Sequence, residues 1–285
     1  TLKFYCMTKI TKLLICMCCI GSIILQTSCR KVAANAQEIE TTFDLAGKEA
    51  TGESLTEDVN NILTSATDSL GLSGNREYGA ANYLPSCAVV TVTGSFPNKM
   101  IMVDFGDSCR SVNGIVRSGI IHIMLTDSIR RPGSTATVTF ENYKVNGYKK
   151  EGGSIVWQNV SNSPGTKSWR RLVNNVKITA PSGNYWTINS DKTITQISGL
   201  LTSSNVDDVY MITGTGTVTN AAGESRTSVI IEAIQKKIAC QWIDKGIVSY
   251  QSTNHTALLN FGEGACDNAA TISIDGNTPR NITLP

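Results

Sequence analysis

A chain of 285 residues is long enough for one large β domain or two smaller ones, and 25 Lys and Arg against 23 Asp and Glu give it a formal charge of +2. Lys3, Lys9 and Lys12 all lie in residues 1–28, where there is no acid, so losing that segment takes the charge from +2, less three lysines, to −1. A near-neutral chain without a basic block has no electrostatic drive toward nucleic acid, and none is expected as a partner.

The N-terminal stretch, residues 1–28, reads as a few upstream residues followed from Met7 by a signal peptide. Lys9 and Lys12 precede an apolar run from Leu13 to Leu25. That run falls short of the roughly 20 residues needed to span a bilayer and suits an export signal. Small polar residues lead from it to Cys29, in the order Leu25-Gln26-Thr27-Ser28-Cys29. This resembles the box at which bacterial lipoproteins are cleaved and acylated on a cysteine, with Gln26 where an aliphatic residue is usual. Cys29 is therefore the expected lipidation site, and the membrane, reached through that lipid, is the expected partner. Ordinary secretion, with cleavage after Ala34 or Ala36, is the alternative.

Residues 29–53 are read as the lipidated cysteine and a polar tether. Over 54–71 the pattern turns helical, with Leu55, Val59, Ile62, Leu63, Ala66 and Leu70 at three- and four-residue steps. Ser54 and Glu57 have the spacing of a capping box, and Gly71 supplies a stop. An amphipathic helix packed on the body is predicted.

Residues 86–285 read as an antiparallel β body. Runs such as KMIMVDFG, STATVTFENYKVNG, VYMITGTGTVTN and RTSVIIEAI are rich in Val, Ile and Thr and bounded by turn residues. Asn220 to Gly223 and Gly183-Asn184 look like hairpin tips. No long helical pattern interrupts the strands, so the fold class is all-β with one N-terminal helix. The architecture is either an antiparallel sandwich or a long curved sheet folded toward a partly open barrel.

Four cysteines lie in the body: Cys87, Cys109, Cys240 and Cys266. Three pairings are possible. An internal repeat over 87–123 and 240–276 narrows them. Each copy opens a strand at cysteine, ends a second strand in Phe-Gly, makes an acidic turn and returns to cysteine. The simplest reading staples each copy to itself, Cys87 to Cys109 and Cys240 to Cys266, with crossed pairing as the rival. Wide spacing and the lack of nearby histidine exclude a zinc site.

Taken together, the signal, the FG-acidic-turn-Cys motif, NGIVRSGIIHI, PGSTATVTFENYKVNGYKKEGG and FGEGACDNAATISIDG resemble uncharacterised lipoproteins of Bacteroidota envelopes. The resemblance implies a β-rich, lipid-anchored outer-membrane protein, on the periplasmic or the surface face, and carries no catalytic residue.

Site candidates are few. His122 and His255 are the two histidines, the first in a strand and the second in a turn-like stretch, and no GxSxG elbow is present. Asp104, Asp107, Glu263 and Asp267 recur at equivalent turns and are the acids a glycosidase reading would use, although turn formation explains them more simply. Tyr185 and Trp186, after a Pro-Ser-Gly-Asn turn, form the best candidate platform for a glycan, since neighbouring strand residues face opposite ways. No cofactor and no metal is expected. The reading is a lipid-anchored envelope protein of binding or structural role with a glycan or another envelope protein as partner. A glycan-binding or adhesin module is the first alternative, and a carbohydrate-active hydrolase the second.

Overall fold

The computed structural model describes residues 7–72, 84–163, 165–202 and 206–285, with side chains from residue 32 onward. Residues Thr1–Thr41 form one compact unit and Thr42–Pro285 another. A helix, α1 (Met7–Ser69), contributes to both. In the first unit the side chains of Lys9, Lys12 and Cys29, and of the apolar run between them, lie outside the described residues. Among the described residues no helix is long and apolar enough to cross a membrane.

Among the described residues the second unit has fifteen strands: β1 (Val89–Thr93), β2 (Lys99–Asp104), β3 (Cys109–Arg110), β4 (Val116–Leu125), β5 (Thr135–Val145), β6 (Tyr148–Glu151), β7 (Ser154–Asn159), β8 (Ser168–Thr179), β9 (Tyr185–Ser198), β10 (Val209–Asn220), β11 (Ser225–Lys237), β12 (Lys245–Gln251), β13 (Thr256–Glu263), β14 (Ala269–Ile274) and β15 (Arg280–Thr283). All belong to one antiparallel sheet in near-sequential order, β1-β2-β4-β5-β6-β8 and then β9 through β15. Short β3 pairs with β4, and β7 shares with β6 the space between β5 and β8. Of the two architectures expected, the single curved sheet is the one formed. Both predicted tips close hairpins. Gly223 N–H donates to Asn220 C=O at 3.0 Å between β10 and β11, and Gly183 N–H to Ala180 C=O at 2.9 Å between β8 and β9.

Register shifts interrupt the β4–β5, β8–β9, β10–β11, β11–β12 and β12–β13 ladders. Such bulges sharpen twist and bend a sheet. The bend encloses the part of α1 after Thr42. Along the strand order, Arg117 of β4 and Tyr143 of β5 reach Asp58 of the helix, Lys150 of β6 reaches the Leu55 carbonyl, and Arg171 of β8 reaches Glu53 and Glu57. Lys192 of β9 also reaches Glu53, Ser228 of β11 reaches Glu49, and Arg280 of β15 lies over the Phe43 ring. Two glycines permit the close approach. A Cβ on Gly52 would sit 3.3 Å from the tips of both Ile178 and Ile188, and one on Gly216 of β10 would sit 2.6 Å from the Glu49 carboxylate.

Two expectations are corrected here. The helix does not begin at a Ser54 cap. It runs through Glu49, Glu53 and Ser54 without a break, so residues 42–53, assigned above to the tether, are helical, and Glu57 pairs with Arg171 instead of closing a capping box. Nor does the helix lie with one face on the body. From Glu49 to Ser69 no residue is exposed, and Leu45, Ala50, Val59, Ile62 and Ala66 are buried alongside Thr42, Glu49, Glu53, Glu57 and Asn61. The physical reason is that the inner face of the sheet is itself partly cationic, so the polar side of the helix has somewhere to go other than water.

Arg171 is fully buried and bridges two helix carboxylates, Glu53 and Glu57. Removing one partner of a buried ion pair strands the other in a low-dielectric interior. Arg171→Met should therefore destabilise the fold by about 3–5 kcal/mol in urea denaturation. The neighbouring exposed pair, Arg170 with Asp191, is solvated on both sides, and Arg170→Met should leave the midpoint essentially where it was.

Candidate functional site

The helix carries Glu49, Glu53 and Glu57, all buried, and Asp58, half-buried, toward a sheet interior in which Arg117, Lys150, Arg171, Lys192 and Lys236 are buried as well. Arg117 Nε donates to Asp58 Oδ2 at 3.1 Å, with a second bond from its Nη2 to Oδ1, and the Tyr143 hydroxyl donates to the same carboxylate at 3.2 Å. Lys192 Nζ lies 2.7 Å from Glu53 Oε2. Burial by itself would raise the Glu53 carboxyl, but Arg171 and Lys192 outweigh it and hold it down to about 2. Its stabilising contribution thus stands above pH 4.5 and disappears as the pH falls toward 2. Glu49 meets a hydroxyl in place of an ion pair. Burial pushes its carboxyl up against the opposing pull of Lys192 and of Ser228, whose Oγ donates at 2.6 Å.

Lys150 has no carboxylate in bonding contact. Its ammonium donates to Leu55 C=O at 3.2 Å and to Thr56 Oγ1 at 3.4 Å, and it lies 5.4 Å from the Phe140 ring centre. Burial drives it down to about 7 even with Asp58, Glu53 and Glu57 nearby, and Arg171 adds to the fall. Burial also lowers Lys236, to about 8, and its ammonium donates to Lys237 C=O at 2.8 Å and to Cys240 C=O.

The residues singled out from sequence fall into three groups, of which the first is the cysteines and acids of the repeated Phe-Gly motif. The cysteines pair as the simplest reading had it: Cys87–Cys109 with Cα atoms 5.7 Å apart and Cys240–Cys266 with Cα atoms 5.6 Å apart. Two of the four acids at the Phe-Gly turns, Asp104 and Asp267, and the amide Asn260 are occupied in making those turns. Asp104 Oδ1 accepts from Gly106 N–H at 2.8 Å, Asn260 Oδ1 from Gly262 N–H at 2.7 Å and Asp267 Oδ1 from Ala269 N–H at 2.9 Å. Glu263 is exposed and lies 3.8 Å from Lys245.

The histidines form the second group. His122 of β4 pairs across the ladder with Glu141 of β5 at 3.0 Å on the outer surface. His255, in the turn-like stretch noted above, is buried, with Nδ1 2.5 Å from Asp275 Oδ2. The adjacent Ser252 hydroxyl bonds to the His255 backbone, to its carbonyl and from its N–H, both at 3.0 Å. Ser252 is thus held by the backbone of His255. Among the described residues no group of three or more His, Cys, Asp and Glu is placed to hold a metal.

The aromatic pair is the third group, and here the structure corrects the expectation. Trp186 is 3% exposed and packs edge-on to Tyr148 at 6.4 Å, so it offers no face to a ligand. It shares its strand parity with Ile188 and Ile194, both buried, and so points at the helix. Tyr185 is 40% exposed but stands alone, with Lys177 Nζ 4.6 Å over its ring.

The aromatic concavity lies elsewhere, at the C-terminal end of α1. Trp157 of β7, Trp169 of β8 and Tyr210 of β10 line a small cavity of about 50 Å³ together with Leu63 and Asp68 of the helix and Arg130 of the β4–β5 loop. A second cavity of about 450 Å³ adjoins it, lined in part by residues of the β7–β8 loop, and the two share Arg130 and Trp169. Trp169 is fixed in place. Its indole N–H donates to Ile129 C=O at 3.1 Å, and its ring meets Tyr210 edge-on at 6.3 Å. Asn159 donates to the same Ile129 carbonyl at 3.0 Å, which anchors the loop bearing Arg130. Sequence reading missed this site because its parts come from four strands, two loops and a helix end. The only local signal was the inward parity that Trp157 shares with Ile155.

No protein-family model, no curated protein and no solved structure matches this chain.

The buried amines set a pH dependence. In the folded state Lys150 binds its proton with a value near 7, against 10.5 for the ordinary side chain. The unfolded state therefore holds more protons between those values, and stability rises with pH across the window by as much as about 1.4 kcal/mol per unit for one group. Lys150→Met should flatten the rise in denaturation midpoint between about pH 7 and pH 10 and should not lower the midpoint at pH 7. An unchanged slope would mean that Lys150 is solvated.

Proposed function

We propose that this chain is a lipid-anchored protein of the bacterial cell envelope, exported, acylated at Cys29, and acting through its β body by binding and not by catalysis. The observation that carries the reading is the pair of disulfides, Cys87–Cys109 and Cys240–Cys266. Such bridges form and persist in oxidising compartments outside the cytosol. They agree with the order lysines, apolar run, small residues, Cys29 at the N-terminus, which reads as an export signal ending at a lipidation site. The likeness to Bacteroidota envelope lipoproteins supports the outer membrane as the location.

Binding is favoured over hydrolysis by how the candidate catalytic groups are used. Asp104 and Asp267 accept from the backbone of their own turns, and the serine beside His255 bonds to the backbone of that residue. The groove at Trp169, by contrast, combines an open space with rigid aromatic and polar walls, the usual make-up of a binding site.

Growth of expressing cells with a clickable fatty acid should label the wild-type protein and place it in the outer-membrane fraction. Cys29→Ala should abolish labelling. Equal incorporation into both would refute the anchor.

A further inference from the structure

On the outer surface, the β2–β4 pair carries four side chains that neither the core nor the aromatic groove uses. Met100 of β2 stands directly opposite Met124 of β4, and Met102 stands directly opposite His122. All four are on the face away from the core, because the residues that alternate with them, Ile101, Val103, Ile121 and Ile123, are 0% exposed. Met124 is 38% exposed and the other three are half-buried. Direct cross-strand partners have Cβ atoms about 4.5–5.5 Å apart and diagonal neighbours about 7–8 Å, still within reach of long side chains. Three flexible thioethers and one imidazole can therefore converge on a single point above the sheet. After residue 28 the sequence has one further methionine, Met211, and it lies apart on β10. The flanking strands present threonine to this group: Thr93 and Thr91 of β1 beside Met100 and Met102, and Thr137 and Thr139 of β5 beside Met124 and His122. A docking face would carry its apolar character across those strands, whereas here the sulfur atoms are confined to two.

The setting of the histidine is a second, independent observation. His122 Nε2 lies 3.0 Å from Glu141 Oε2. A carboxylate accepts, so Nε2 carries the hydrogen and the neutral ring keeps a lone pair on Nδ1. Metal-binding histidines are held in this way, one nitrogen donating to a carboxylate that fixes the tautomer and makes the other nitrogen more basic. The donor set also selects the ion. Thioethers are soft and uncharged; they suit Cu(I), while Mg²⁺ and Ca²⁺ require oxygen ligands. The set differs in kind from groups of His, Cys, Asp and Glu, of which the described residues hold none. Unlike thiols, thioethers cannot be lost to disulfide formation in a chain that forms Cys87–Cys109 and Cys240–Cys266.

We propose that Met100, Met102, Met124 and His122 form a Cu(I) site, in which three thioethers and the imidazole Nδ1 are the donors and Glu141 orients the ring. The ion is bound and released as Cu(I), with no electron transferred.

The test uses the mature chain in detergent micelles, isotope-labelled at the methionine methyl groups and treated with N-ethylmaleimide so that no free thiol competes. Ag(I) is the first probe, since it matches Cu(I) in charge and softness and does not change oxidation state. One equivalent should shift the methyl resonances of Met100, Met102 and Met124 and leave that of Met211 in place. Cu(I), titrated without oxygen against bathocuproine disulfonate, should bind with the same stoichiometry. The variant Met100→Leu/Met102→Leu/Met124→Leu keeps the apolar volume, so it should retain the urea midpoint and lose the binding of both ions. Glu141→Ala should weaken Cu(I) about tenfold or more, although Glu141 is not itself a ligand. Methyl resonances that stay in place, a shift of Met211 equal to those of the other three, or undiminished affinity in the triple leucine variant would overturn the proposal.

Discussion

A helix that presents Glu49, Glu53, Glu57 and Asp58 can be enclosed on all sides only if each carboxylate meets a donor inside the enclosure. Removing a carboxylate from water without such a partner costs several kcal/mol or more. The sheet supplies the donors from strands far apart in the chain: Arg117, Tyr143, Arg171, Lys192 and Ser228. The remainder of the interior is ordinary aliphatic packing, with Ile101, Ile121, Ile155, Ile178, Ile212 and Ile272 on the strands facing Leu45, Val59 and Ile62 on the helix. Apolar burial supplies the drive. The ion pairs add position, because Glu53 is bonded by Arg171 and Lys192 at once and can accept both in only one rotation of the helix.

Fixing that rotation has a consequence at the C-terminal end of α1. Leu63, Thr64, Thr67 and Asp68 form one wall of the aromatic groove, and the strands bearing Trp157, Trp169 and Tyr210 form the other. The helix thus serves both as the core around which the sheet curls and as one wall of the aromatic groove. The disulfides act at the two ends of the sheet. Cys87–Cys109 ties the residues before β1 to β3, and Cys240–Cys266 ties those before β12 to those before β14, where few neighbouring strands are available to hold them.

Much of this was written locally in the chain. Runs of Val, Ile and Thr between turn residues marked the strands, Asn220 to Gly223 and Gly183-Asn184 marked hairpins that form, and the matched Cys spacings pointed to the pairing found. The beginning of the helix was not legible, because Thr42, Glu49 and Glu53 look like residues meant for water. Their partners lie more than a hundred positions downstream: Arg226, Ser228, Arg171 and Lys192. A trace of that arrangement was nonetheless present. Arg171 shares its strand parity with Val173, and Lys192 shares its parity with Ile188 and Ile194, so cations sit on the face that alternation assigns to the core. The same parity places Trp186 inside. The groove was illegible for a different reason, since no two of its aromatic residues belong to the same strand.

Enclosure of the helix is the claim on which the rest turns, and native-state hydrogen exchange addresses it directly. If the sheet surrounds α1, the backbone amides from Glu49 to Ala66 open only with the whole domain and fall in the slowest-exchanging class, together with those of the central strands β8 to β10. Exchange of those amides at the rates of a helix packed by one face, faster than the central strands and insensitive to destabilisation of the sheet, would contradict the account.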